Sequence, residues 1–388
     1  MIVAMTVLFW LSAAAIAHAW FGYLGFLAVL ASFRKAAVRR SPSHLAVSFI
    51  VPVHNGADAI LRKLANLRAL DYPPELVEII FVDDCSIDGT ASLMSTVPGV
   101  RVIRLAERRG KAAALNAGLD VAGGDVVAFT DIGGLLASDA LALAMERFAD
   151  SRVGCVSSDD EVASDDGVAR GEGVYTRIDT LARRLEGRIR SATGMNGSFY
   201  LVRRELCSPF PLDVATDMFS ALHCVDLGYR AVVEERSKVR LSAQHDVQRE
   251  FERKVRTMVT GLRALRRNAP LLNPFRSGLF AMFLWGHKVL RYMSPLFVTT
   301  MFASGGFLGG SSLFYCSIVR TIAVVMSIGL CAIVLHGSTP LSRTGPIGRI
   351  LGLSAFACIS LAAAMVGWYR FASGERYETW KPTERSAV

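Results

Sequence analysis

The sequence lacks cysteines at CxxC spacing. Its seven cysteines, among them Cys85, Cys155, Cys207 and Cys224, are scattered and odd in number, which speaks against a disulfide framework and a zinc-binding cysteine set. It has no internal repeat and no low-complexity tract, which leaves out solenoid and biased-composition proteins. Charge is missing altogether from Met1 to Phe33, a run longer than the roughly 20 residues that cross about 30 Å of hydrocarbon. No basic segment precedes that run and no small-residue cleavage site follows a short apolar core, so residues 1–33 read as a retained transmembrane helix, not a signal peptide. A basic patch is also lacking: the net charge is +9, but the cations are spread along the chain and cluster mainly beside apolar runs. That distribution points away from nucleic acid and toward anionic lipid and a pyrophosphate substrate.

What the chain does contain is apolar. With 52% hydrophobic residues and a mean hydropathy of +0.36, it exceeds an ordinary soluble domain and reads as an integral membrane protein. Arg34, Lys35, Arg39 and Arg40 follow the first run directly and mark the cytosolic side of a cell (inner or plasma) membrane. The next domain, residues 46–247, is therefore expected in the cytosol. There, short β-rich runs alternate with amphipathic helical patterns, the signature of an α/β layer fold with a mostly parallel sheet. The expected strands are Val47 to Val53, Val77 to Val82, Val100 to Leu105, Val126 to Thr130, Val153 to Val156 and Ser198 to Val202. Ile60, Leu61, Leu64 and Leu67 recur at helical spacing between the first two, with Asn55 placed to cap that helix.

Residues 248–291 read as basic and amphipathic interface helices: a helix from Arg249 to Arg267, a break at Pro270, Asn273 and Pro274, and then Phe275 to Arg291. In this last piece Trp285, Lys288 and Arg291 interrupt the apolar residues, the pattern of a helix lying in the membrane interface. Residues 292–371 hold two or three further transmembrane helices, drawn from Tyr292 to Val319, Thr321 to Leu335 and Ile350 to Tyr369. Arg320 falls either at a turn or inside a span, and Gly305, Gly306, Gly309 and Gly310 offer a competing turn. Residues 372–388 are a polar tail, whose side of the membrane the sequence leaves open.

Three passages carry chemistry. In Ile79-Ile80-Phe81-Val82-Asp83-Asp84-Cys85-Ser86-Ile87-Asp88-Gly89-Thr90 an apolar strand runs into paired acids and a glycine turn, beyond the carboxyl end of a strand, where open α/β sheets bind ligands. An Asp-rich turn is the alternative. At Arg109-Gly110-Lys111 a glycine and a lysine open a helix, whose free N–H groups and dipole favour an anion such as pyrophosphate. Val126 to Thr130 then ends at Asp131, where a hard divalent ion can be held between protein and substrate phosphates.

The ordered set VPVHN, VDDCSIDGT, GKAAALNAG, VVAFTD, GMNGSFYLVRRE and ATDMFSALHCVDLGYR resembles the inverting family-2 glycosyltransferases of the GT-A fold. It is most similar to the membrane branch that contains cellulose, hyaluronan and chitin synthases and the nodulation N-acetylglucosaminyltransferases. The likeness covers roughly Val47 to Arg256. It implies a Rossmann-like GT-A domain inserted between transmembrane helices, a nucleotide-diphosphate sugar donor (a UDP-sugar), and a membrane lipid or growing glycan as acceptor. It further implies that Asp84, with Asp83 beside it, contacts the nucleoside, that His54 and Asn55 flank the base, and that Lys111 faces the phosphates. Asp131 becomes the first carboxylate of the metal-binding DxD, holding Mg2+ or Mn2+. His54 also fits an ordinary solvated turn residue.

Inversion needs a group that deprotonates the acceptor hydroxyl opposite the departing diphosphate. Asp217 is the candidate, because Ala215-Thr216-Asp217 and Leu227-Gly228-Tyr229 match the family's Thr-Glu-Asp and Leu-Gly-Tyr spacing; Thr216 and Asp217 also suit a plain helix start. Asn196 and Gly197, in the GMNGS loop, are placed by the resemblance at the acceptor sugar, with a tight turn as the alternative. Arg253-Lys254-Val255-Arg256-Thr257 stands where the family has Gln-x-x-Arg-Trp. Arg253 and Arg256 are its arginines, and Arg256 is suited to neutralise pyrophosphate.

Three departures from the family pattern matter: Gly133 replaces the second DxD carboxylate, Thr216 a glutamate and Thr257 a tryptophan. Asp139, after Ser138, reads better as a helix N-terminal residue than as a second metal ligand. The lost tryptophan favours a short product over a long polymer. The same departures also suit a catalytically silent scaffold that keeps the transferase fold.

Overall fold

The computed structural model describes residues 1–34, 38–163, 167–242, 247–310, 312–336 and 346–379. Its centre is an eight-stranded mixed sheet: β1 (Val47–Val53), β2 (Val77–Asp83), β3 (Arg101–Arg104), β4 (Val126–Thr130), β5 (Leu135–Leu136), β6 (Val153–Ala163), β7 (Phe199–Arg203) and β8 (Arg230–Ser242). The spatial order is β3-β2-β1-β4-β7-β6-β8-β5. β3, β2, β1 and β4 run parallel, β7 is antiparallel to both β4 and β6, and β6 pairs parallel with β8.

Burial explains why the first strands read as unbroken apolar runs: a parallel strand covered on both faces has no solvent side. In β1, Phe49, Val51 and Val53 pack with Ile60, Leu64 and Leu67 of the Ala57–Arg68 helix. Ile50 points to the opposite layer, with Leu115, Phe129 and Tyr200. Each such fully buried aliphatic or aromatic side chain contributes roughly 1.5–3 kcal/mol. The register then aligns the strand ends. Val53 lies opposite Asp83, and Ile50 opposite Phe129, so the turns after β1, β2 and β4 open along one edge of the sheet.

Two strands lay outside the sequence reading, β8 and the two-residue β5. β8 is masked in sequence by Glu234, Glu235 and Arg236, yet Glu234 is fully buried, because Arg147 Nε and Arg236 Nε donate to its carboxylate at 2.5 and 2.8 Å. Asn55 does not cap the Ala57–Arg68 helix. Gly56 stands at the cap, Asp88 Oδ2 accepts the Ala57 N–H, and Asn55 Oδ1 instead accepts from Ile87 N–H at 2.9 Å.

Among the described residues three helices are long and apolar enough to cross a membrane: Ile2–Phe33, Leu313–Cys331 and Leu351–Ala372. The sequence run from Tyr292 to Val319 is split. A Ser294–Gly309 helix ends at the glycine turn, and Arg320 lies inside the Leu313–His336 helix. Phe9 of the first span packs on Met301 and Leu308, while Tyr23 and Leu27 are buried against Ala182, Ile189 and Leu222 of the sheet domain. The expected interface helix from Phe275 to Arg291 forms as a short Pro274–Ser277 helix and, after Gly278, one continuous helix from Leu279 to Tyr292 that widens to π-helical hydrogen bonding over Trp285–Val289. Trp285 stays exposed, but His287 and Arg291 turn inward to buried acids rather than outward to headgroups.

Candidate functional site

The turn after β2 is built around two fully buried acids. Asp83 Oδ1 accepts Ser86 N–H at 3.0 Å, and Arg104 Nε stands 3.5 Å from Oδ2. Asp84 takes the backbone N–H of Arg109 at 2.7 Å and of Gly110 at 2.9 Å, one on each oxygen. The anion that the start of the Lys111–Leu119 helix meets first is thus a carboxylate of the protein itself, which fixes the glycine turn against β2. Gly110 has φ +86°, and a side chain there would collide with the carbonyl of Glu378. His54, nearly buried, places Nδ1 2.7 Å from the carbonyl oxygen of Asp84, and Asn55 N–H donates to Ser86 Oγ.

Lys111 reaches from that turn to the end of β4, where its Nζ lies 2.5 Å from Asp131 Oδ1. Asp131 N–H donates in turn to Ser198 O, and the neighbouring Gly197 backs onto the Asp217 carboxyl, which lies 3.7 Å from where a Gly197 Cβ would be. Asp84, Asp131 and Asp217 therefore sit on one continuous string of contacts across the sheet edge. Asp217 opens the Thr216–Asp226 helix and is partly exposed, and no described residue hydrogen-bonds its carboxylate. Asn196 points inward, its N–H on Ser157 Oγ and its amide on Ser158 O, so it shapes the loop whose next residue is Gly197.

Arg253 and Arg256 lie on the Val247–Arg267 helix but differ. Arg253 is held by Glu250 at 2.7 Å. Arg256 is half-buried, and its guanidinium has no hydrogen-bond or ion-pair partner among the described residues. Burial and Arg253 pull its pKa down, and Asp131, within electrostatic reach, pulls it back up.

For a divalent ion this donor set is short. Mg2+ and Mn2+ favour about six oxygen ligands. The end of β4 offers the Asp131 carboxylate, already engaged by Lys111, and Gly133 contributes no side chain. Asp139 stands at the N-terminus of the Ala140–Met145 helix. No group of three His, Cys, Asp or Glu able to hold a metal occurs among the described residues.

The motif reading missed three features. Lys63 is fully buried, donating to Thr130 Oγ1 at 2.8 Å and Gly134 O at 2.6 Å, so it clamps both ends of the Asp131 turn. Burial lowers its pKa to about 7 against the pull of Asp131. The sequence signal was present: Lys63 falls on the Ile60, Leu64, Leu67 stripe. The second feature is a buried ion cluster. Asp179 meets Arg183 at 2.5 Å, His287 at 2.7 Å and Arg291 at 3.0 Å, while Glu186 accepts from Tyr23 OH and faces His287 Nδ1, both at 2.6 Å. The third is the tail, which returns over the Gly110 turn: Arg263 donates to the carbonyls of Gly374 and Glu375.

The Glycosyl transferase family 2 profile matches residues 48–207, the stretch that carries Asp84, Lys111, Asp131 and the Asn196–Gly197 loop. The chain carries a family 2 glycosyl transferase domain. Around this domain the chain is 38% identical over 103 residues to succinoglycan biosynthesis protein ExoO of Rhizobium meliloti, covering 26% of this chain and 29% of that protein. It is 33% identical over 120 residues to the poly-beta-1,6-N-acetyl-D-glucosamine synthase of Staphylococcus aureus, covering 30% of this chain and 29% of that protein. The match thus spans less than a third of the length of either curated relative. Mannosyltransferase PcManGT from Pyrobaculum calidifontis, solved in complex with GDP-Man and Mn2+, superimposes with a TM-score of 0.73 at 23% identity, over 95% of this chain and 100% of that one. That likeness extends the shared fold from the family 2 domain to the flanking helices.

Proposed function

We propose that the protein is an inverting glycosyltransferase that moves a sugar from a nucleotide-diphosphate donor, a UDP-sugar, to a membrane lipid or growing glycan. The observation that carries this reading is the string of contacts from Asp84 through Lys111 and Asp131 to Asp217, which sets a cation for phosphate and an uncommitted carboxylate on one sheet edge. The nucleoside lies by the turns holding His54, Asn55, Asp83 and Asp84. The diphosphate lies at Lys111 and Arg256, and the acceptor at the Asn196–Gly197 loop. Asp217 takes the acceptor hydroxyl proton as that oxygen bonds to the anomeric carbon, and the bond to the diphosphate breaks on the opposite face.

Mn2+ accompanies GDP-Man in the PcManGT complex. In this chain Asp131 is the carboxylate that such an ion would meet, and it would ease departure of the diphosphate as a Lewis acid; no step above depends on it. The long apolar helices, the first of them free of charge, and the basic residues Arg34, Arg39 and Arg40 support a membrane-embedded enzyme whose family 2 domain faces the cytosol. The relatives named for succinoglycan biosynthesis and poly-N-acetylglucosamine synthesis support a role in making an envelope glycan or glycolipid.

The test is a panel of labelled sugar nucleotides with membrane-lipid acceptors. Asp217→Asn is expected to lower transfer by roughly 10²–10⁴-fold, the usual worth of a positioned acid or base, with donor affinity unchanged. Gly133 and Thr216 favour a second reading, a silent scaffold. It becomes the better one if no sugar nucleotide is transferred or hydrolysed by the wild-type protein.

A further inference from the structure

We propose that Lys111 and Arg256 take the place of a divalent ion in neutralising the donor's diphosphate, an inference that rests on the transferase reading. Three observations meet at the end of β4. Gly133 stands where a second carboxylate belongs, and the place its Cβ would occupy has nothing within 4 Å, so an acid would fit there sterically. The carboxylate that is present, Asp131, already holds an ammonium group at 2.5 Å. Across from it, Arg256 keeps a half-buried guanidinium with no hydrogen-bond or ion-pair partner among the described residues.

A half-buried cation that lacks a hydrogen-bond partner among the described residues calls for an anion, because the charge has lost part of its hydration without gaining hydrogen bonds in return. The guanidinium fork matches phosphate oxygens in a two-pronged contact, and the lysine supplies a point charge beside it. Asp131 then acts as a positioning residue. It aims Lys111 at the diphosphate, and Lys63 holds its turn from below. As the acceptor oxygen bonds to the anomeric carbon and its proton passes to Asp217, the carbon–oxygen bond to the diphosphate breaks. The electron pair leaves with the nucleoside diphosphate, and the added negative charge falls on Lys111 and Arg256.

The experiment is equilibrium binding of UDP and of GDP to the full chain in nanodiscs, in EDTA and in MnCl2. At least one of the two nucleotides is expected to bind in EDTA about as tightly as in Mn2+. Lys111→Met and Arg256→Met are each expected to weaken binding about tenfold to a hundredfold, the worth of a hydrogen bond to a charged group. Lys111→Arg and Arg256→Lys should recover part of it, which separates lost charge from a lost fold. Gly133→Asp should make binding Mn2+-responsive and produce a bound-Mn2+ paramagnetic resonance signal with nucleotide that the wild type lacks. Binding that vanishes in EDTA and returns with Mn2+ in the wild type overturns the proposal while leaving the transferase reading intact. Binding of neither nucleotide under either condition overturns both.

Discussion

Two polar clusters in this molecule use the same residue types and treat them in opposite ways. At the sheet edge, the side chains of Asp131 and Lys111 are 47% and 27% exposed, and Arg256 is half-buried with no hydrogen-bond or ion-pair partner among the described residues. Away from that edge, Asp179, Arg183, Glu186, His287 and Arg291 are all buried, and both acids are surrounded by donors. Burial pushes the Asp179 carboxyl up, but Arg183, Lys288 and His287 outweigh it and hold it well below its ordinary range. The difference separates a site from a joint. The open cluster leaves charge unspent for a ligand, whereas the closed one spends its charge internally, fastening Tyr23 and Ala19 of the first span to the sheet domain.

The sharpest way to break that contrast is to delete one acid from each cluster. Asp179→Asn leaves Arg183, His287 and Arg291 crowded without their shared anion, and removing one partner from a buried ion pair costs about 3–5 kcal/mol. A large drop in unfolding temperature in detergent is expected, with nucleotide affinity of the remaining folded fraction unchanged. Asp131→Asn sits on a screened, half-exposed pair worth about 0–1 kcal/mol. It should leave the melting curve nearly in place and change nucleotide affinity instead. If the two variants exchange these effects, the assignment of site and joint is reversed.

The open cluster was far more legible in the sequence than the closed one. Asp84 and Asp131 follow apolar strands and Gly110-Lys111 opens a helix, so local pattern set these apart, whereas Asp217, which locally suits a plain helix start, stood out only through the spacing of the family it resembles. The joint has no local pattern: it draws on the Gly167–Ile189 helix, the first span and the helix from Leu279 to Tyr292, whose proximity only the tertiary fold creates. A weak trace existed in Asp179, Arg183 and Glu186, which recur at helical spacing on one face. The same reasoning accounts for β8. Its buried Glu234 looks solvated in sequence, and its partners Arg147 and Arg40 come from distant segments. The helices after residue 292 were readable as apolar runs, but not their division, because the glycine turn and Arg320 carry opposite hints.

Lys63 is the intermediate case, a buried charge beneath the open cluster, and it adds a pH test. Its folded pKa of about 7 lies below the ordinary lysine value of 10.5. Between those limits the unfolded chain holds a proton that the folded chain has released, so stability rises with pH, by at most about 1.4 kcal/mol per unit. Below pH 7 both forms are protonated and the gain is absent. The stability difference between wild type and Lys63→Met, from denaturant melts at pH 7 to 10, should therefore shift in favour of the wild type as pH rises. A flat difference would mean that Lys63 stays charged throughout and belongs electrostatically with the open cluster.

The smallest effect concerns a segment laid against the Gly110 turn of the open cluster. Glu378 lies against Gly110, Arg263 anchors the carbonyls of Gly374 and Glu375, and Tyr377 and Arg370 form a pair. These are exposed or half-exposed polar contacts, each worth no more than about 1 kcal/mol, so the tail can cover the phosphate turn without closing it. Deleting the chain from Glu375 onward should tighten nucleotide binding, by up to about fivefold if one such contact competes with the donor. Arg263→Ala should reproduce part of that change, but because Arg263 also pairs with the buried Asp213 at 3.2 Å it should lower the melting temperature as well. For the deletion, the melting temperature should stay within a degree or two of wild type, since none of the described residues removed belongs to a buried cluster. A loss of affinity on deletion would reverse the assignment and make the tail a wall of the donor pocket, with the Glu378 carbonyl and Tyr377 as part of the surface that the nucleotide touches.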